Sequence, residues 1–101
     1  MKLNLLERLV IQKILPKEGD FVTLKVLNSL KLTLAPSEEE LKEFELKNQD
    51  GMITWNSKGS EEREISIGEK ATDIIVNALK DLDKNKKLTQ EHYTIYEKFV
   101  V

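Results

Sequence analysis

The 101 residues give one domain's length, and a composition 40% apolar and 34% charged supplies a single core under a densely charged surface. With no cysteine, disulfides, thiolate metal ligands and a cysteine nucleophile are excluded. Charges interrupt Met1–Arg8 every few residues, so a signal peptide or membrane span is not expected and a cytosolic address is.

The net charge of −2 is unevenly spread. Residues 1–36 hold six Lys/Arg against three Asp/Glu, residues 37–64 hold four against nine, and residues 65–101 hold six of each. The acidic part is therefore the middle of the chain.

In chain order, Asn4 and Glu7 have the spacing of a capping box. Leu6, Leu9, Val10 and Ile14, widened by Ile11 and Leu15, predict a first helix over about 5–15, stopped by Pro16. Asp20 is placed to cap a second helix whose stripe is Phe21, Leu24, Leu27, Leu30 and Leu34. Alternation in Leu30–Leu34 also permits a short strand in place of its last turn. Pro36 biases Ala35 towards extended backbone, and Ser37 with Glu40 forms a second capping-box pattern. The short third helix this opens runs to about Phe44, with Leu41, Phe44 and Leu46 as its apolar side.

From Leu46 the pattern turns to β. Met52–Trp55 and Arg63–Ile67 carry strand-forming residues, and Asp50-Gly51 and Ser57–Ser60 carry turn residues, which predicts a small antiparallel hairpin or meander. Alternation puts Ile53 and Trp55 on one face, shared with Ile65 and Ile67. Next, Ile67, Ala71, Ile74, Ile75, Ala78, Leu79 and Leu82 form one continuous stripe, predicting a central helix with Ala71, Ile74, Ala78 and Leu82 mostly buried. Ser66 and Glu69 are spaced to cap it, and Lys84, Lys86 and Lys87 favour its C-terminal end. Thr89 caps a last helix, with Leu88 and Tyr93 spaced as a hydrophobic staple and Tyr96 and Phe99 near Tyr93's side.

The chain 1–101 is thus expected to be a single helix-rich α+β domain of order ααα-ββ-αα. Three helices and a hairpin is also the order of a winged-helix domain, in which the third helix meets DNA. Other small α+β packings share that order.

No nucleophile–base motif or Gly-rich phosphate loop is present; the glycines at 19, 51, 59 and 68 fall in separate turns. His92 is the only histidine, too few for a His-rich zinc site, and reads as a solvated residue of the last helix. The expectation is a protein without catalytic residues, metal or cofactor. Glu38, Glu39, Glu40 and Glu43 read either as capping and solvating charges or as an acidic docking face for a basic protein partner, one that would repel duplex DNA. Trp55 reads as core beside Ile53, whereas Tyr96 and Phe99 are candidates for a contact surface.

Leu5–Phe21, the Ser37–Glu40 helix start and the closing Tyr96-Glu97-Lys98-Phe99 resemble small accessory proteins of tailed bacteriophages. The resemblance implies a protein of the bacterial host cytoplasm that binds a host or phage macromolecule, a group that includes inhibitors of host defences and transcriptional regulators. It assigns no site. Two other functions fit the residues: a winged-helix DNA-binding regulator, and a protein sequestering a nucleotide or other small molecule between helices.

Overall fold

The first helix starts as its sequence requires. In the computed structural model, which describes all 101 residues, Asn4 Oδ1 accepts from the Glu7 N–H at 2.8 Å and the Glu7 carboxylate accepts from the Asn4 N–H at 3.0 Å. This capping box follows the two-residue strand β1 (Lys2–Leu3) and opens α1 (Leu5–Ile14). Asp20 likewise accepts from the Thr23 N–H at 2.8 Å to start α2 (Phe21–Leu34), which stays helical to its end, so the strand alternative is not realised. Ala35 is extended before Pro36, as expected of a residue preceding proline. Ser37 and Glu40 then form their capping box on the six-residue α3 (Glu38–Glu43).

The β-regions pair differently from expectation. Asp50 and Gly51 both have positive φ, 51° and 79°, the geometry of a type I′ turn whose twist matches that of its flanking strands. That turn joins β2 (Lys47–Gln49) to β3 (Met52–Thr54), with Asn48 opposite Ile53. The segment predicted to pair with β3 is instead split: after a 3₁₀ turn at Ser57–Ser60, β4 (Arg63–Glu64) pairs antiparallel with β1. Ile53 and Trp55 therefore do not share a face with Ile65 and Ile67. Trp55 lies outside the strand, half-buried, with its indole over Gly59, where any Cβ would collide with the ring.

The remaining chain forms α4 (Glu69–Lys84) and α5 (Gln90–Phe99). Gly68, not Ser66, is the cap residue of α4 and makes no side-chain capping bond. The helix begins two residues later than the apolar stripe because Ile67 packs on the core from extended chain. Both α3 and α4 end with a non-glycine residue in the left-handed region, Glu45 at φ 52° and Lys86 at φ 56°. In each case the next N–H returns to the helix, from Leu46 to Leu41 O and from Lys87 to Leu82 O, which satisfies carbonyls left over at the helix end.

One cluster of twelve buried residues joins all the long helices: Val10, Ile11 and Leu15 from α1 and its end, Leu27, Leu30 and Leu34 from α2, Ala71, Ile75 and Leu79 from α4, Ile95 from α5, with Leu3 and Ile65 from the β1–β4 side. The fold is α+β, helix-rich, with two separate two-stranded antiparallel sheets. No helix is long and apolar enough to cross a membrane.

Several apolar residues face other ways than their spacing suggested. On α4 the buried line is Ala71, Ile75 and Leu79, while Ile74, Ala78 and Leu82 are half-buried along its flank. On α1 the outward residue is Leu6, because Arg8 takes the inward position between Leu5 and Ile11. Phe21 and Leu24 point outward on α2, and Leu41 outward on α3. The expected Leu88–Tyr93 staple does not close: Leu88 packs on the core, but Tyr93 is exposed.

Ile75→Asp should therefore destabilise by at least about 3 kcal/mol, since a charge would enter a fully buried site, whereas Phe21→Ser should change stability by less than about 0.5 kcal/mol. Urea unfolding of the two variants checks both orientations.

Candidate functional site

The four glutamates expected to form one acidic face are divided by the fold. Glu38 and Glu39 are exposed and make no ion pair. Glu40 turns inward, a correction to its expected role on a docking face: its carboxylate receives a two-pronged bond from Arg8, Nη1 to Oε2 at 2.8 Å and Nη2 to Oε1 at 3.1 Å. The Arg8 side chain is only 2% exposed and also donates to the carbonyls of Leu34 at 3.0 Å and Ala35 at 3.1 Å. Hydrogen bonding from Arg8 holds the Glu40 carboxyl well down, at about 2, against the opposing effect of its partial burial.

Glu43 is held too. It accepts from Arg63 Nη2 at 2.6 Å, and that bond puts its carboxyl below the usual range while raising the Arg63 guanidinium. Arg63 also lies 3.7 Å from Glu40 and stacks over the Phe44 ring, 4.7 Å from its centroid. Short-range sequence spacing could not show this, since Arg8 and Arg63 come from opposite ends of the glutamate run. One signal was present: Arg8 sits three residues from both Leu5 and Ile11, in the middle of the buried face.

Tyr96 and Phe99 are half-buried and pack against the core. Tyr96 Oη donates to Asp83 Oδ2 at 3.2 Å, and its phenol is pushed up by burial and by that bond. Beside them Lys98 donates to Glu7 Oε1 at 2.8 Å, to Glu62 and to the Lys2 carbonyl. Burial opposes the Lys98 charge, but its carboxylate partners prevail and raise its ammonium above the ordinary value. The exposed aromatic residue of this helix is Tyr93.

His92 is buried, not solvated. Its Nδ1 accepts from the Thr89 N–H at 2.9 Å, so the imidazole, in the third position of α5, takes the part a glutamate plays in a capping box. No group of three or more His, Asp and Glu side chains is arranged to hold a metal ion.

An unpartnered apolar surface lies on α2 and includes Phe21 and Leu24 of its expected apolar stripe. Eight of the fourteen residues of α2 are large and apolar, more than one buried stripe can take. With Leu27, Leu30 and Leu34 inside, Phe21 is left 80% exposed, Leu32 73%, and Val22 and Leu24 are exposed beside them. Phe21, Leu24, Lys25, Asn28 and Leu32 follow i, i+3, i+4, i+7, i+11, which lines them along one outward face. No acidic residue lies within α2, and Lys25 and Lys31 form no ion pair. A second apolar surface is a groove of about 510 Å³ between α1 and the β2–β3 hairpin, lined by Leu6, Leu9, Met52, Ile53 and Trp55.

No protein-family model, curated protein or solved structure matches the chain.

Because the folded-state carboxyl of Glu40 lies near 2 and its ordinary value is 4.5, its contribution is present in full above pH 4.5 and is lost as pH falls towards 2. Glu40→Gln should lower stability at pH 7 by about 3 kcal/mol and should reduce the loss between those pH values. Asp20, Glu43 and Glu62, whose carboxyls are also lowered, contribute acid dependence that remains in the variant. Denaturant unfolding of parent and variant at pH 7, 4 and 2.5 reads both effects.

Proposed function

We propose that this protein is a non-catalytic binding protein that docks a protein partner on the outward face of α2. The observation carrying this reading is the line Phe21, Leu24, Leu32 with Val22, large apolar side chains on a regular helix that the fold leaves in solvent. Isolated exposed apolar residues are ordinary, but four on one helix mark a contact surface, and a helix face of this kind suits an amphipathic segment laid along it.

Charge narrows the partner. Lys25 within the row and Lys31 beside it have no acidic neighbours on the helix, so a segment carrying apolar anchors together with aspartate or glutamate would be steered in and held in register. The basic partner expected for the α3 glutamates is left with less to bind, since Glu40 and Glu43 are engaged by Arg8 and Arg63. Duplex DNA is a poorer ligand for the winged-helix position: α3 has six residues and directs Glu38 and Glu39 outward, against the phosphates. The resemblance to phage accessory proteins supports a host or phage macromolecule as the partner, with inhibition of a host defence as the outcome.

The test is affinity capture from bacterial lysate with quantitative mass spectrometry, comparing the parent, Phe21→Asp with Leu32→Asp, and Glu38→Lys with Glu39→Lys. A partner held by the parent should be weakened at least about thirtyfold by the α2 changes and bound with little change by the α3 changes. Equal recovery by parent and α2 variant would overturn the reading, and loss only in the α3 variant would return the contact to the acidic helix.

A further inference from the structure

A second surface, distinct from the apolar face of α2, has the chemistry of a small-molecule site. A groove of about 630 Å³ runs between the end of α1, the first turn of α2, the flank of α4 and the start of α5. Its size falls within the range of ligand pockets. The half-buried Ile74, Ala78 and Leu82, displaced from the expected core line of α4, form its apolar side.

The polar side centres on His92. The residue is 8% exposed, and its Nδ1 is committed to accepting the Thr89 N–H, which places the ring proton on Nε2. Nε2 has no hydrogen-bond partner in the protein and is not fully buried, and the ring lines the groove. The cap fixes the ring and with it the direction of the Nε2–H. Around it stand Lys13 and Lys87, neither engaged in an ion pair, and the Asn77 side-chain amide. Asp81 is the one carboxylate of the groove and is also without an ion-pair partner.

Two cations and a fixed neutral donor beside an apolar wall match a ligand with an anionic end and a flat or apolar body. Inorganic anions alone would leave most of the groove empty, and a simple carboxylate offers two oxygens to the three donors Lys13, Lys87 and His92, where a phosphate offers three. We infer that the groove binds a phosphorylated small molecule of mononucleotide size. Its phosphate oxygens accept from His92 Nε2–H, Lys13 and Lys87, its ring lies against Ile74, Ala78 and Leu82, and Asp81 accepts from a hydroxyl or amino group.

The experiment is a titration of isotope-labelled protein with AMP, adenosine and inorganic phosphate, followed by the NMR signals of the His92 ring and the Asn77 side-chain amide. AMP should move both signals and saturate below about 1 mM, with inorganic phosphate moving the His92 ring more weakly and adenosine requiring at least about tenfold more ligand. Lys87→Ala should weaken AMP about tenfold while leaving the other resonances in place, because Lys87 is exposed. Lys87 is the position to change since Lys13 also borders the groove between α1 and the hairpin. No saturable change with AMP up to about 10 mM, equal affinity for adenosine, or affinity unaffected by Lys87→Ala would each overturn the site. None of these results bears on capture through α2, whose residues Phe21 and Leu32 lie outside this groove.

Discussion

A guanidinium with almost no access to water must have its charge and its donors matched inside the protein, and Arg8 meets that demand from two elements at once. Glu40 supplies the opposite charge in two-pronged geometry, while the Leu34 and Ala35 carbonyls, left without partners where α2 ends, take two further bonds. The negative end of the α2 dipole adds to the match. The path Ala35-Pro36-Ser37 is thereby fixed, because α3 must start where Glu40 can cap Ser37 and face Arg8 together. Arg63 extends the same cluster through Glu43 and the Phe44 ring to β4, which pairs with β1. The neighbouring Glu7 does the corresponding work on another side of α1, joining the α1 cap to Lys98 of α5 and, through it, to Glu62.

These buried charges also explain which parts of the fold sequence could disclose. Caps are local patterns, and Asn4–Glu7, Asp20 and Ser37–Glu40 are all realised because three or four residues contain the whole interaction. The direction a helix faces is not local. Once Arg8 claims an inward position, α1 turns Leu6 towards the hairpin, and the alternation argument for Ile53 fails because strand partners are chosen by the Asp50-Gly51 turn and by the distant β1. For the candidate sites the same distinction holds. The excess of apolar residues in α2 was visible in its sequence, but the exposed set depended on where α1 and α4 settle. His92 could be recognised as a helix-start residue, yet its burial and its free Nε2–H arise from residues far along the chain.

The division of labour between interior and surface bears on function. Glutamates that could have formed a docking face are partly consumed in holding α3, so the acidic middle of the chain is as much a structural feature as a surface one. Conversely, the exposed Phe21 and Leu32 of α2 lie outside the twelve-residue core, while the groove beside α4 shares Ile14 and Ile74 with the layer packed against it.

A double-mutant cycle with Arg8→Met and Glu40→Leu, read by denaturant unfolding at pH 7, measures how far the Arg8–Glu40 pair fixes α3 on the helical core. Each single change should cost several kcal/mol, and the double variant should be more stable than additivity allows by about 3 kcal/mol, because an apolar pair leaves no buried charge unmatched. Additivity within about 0.5 kcal/mol would mean that Arg8 and Glu40 act independently and that their pairing does not hold α3 in place.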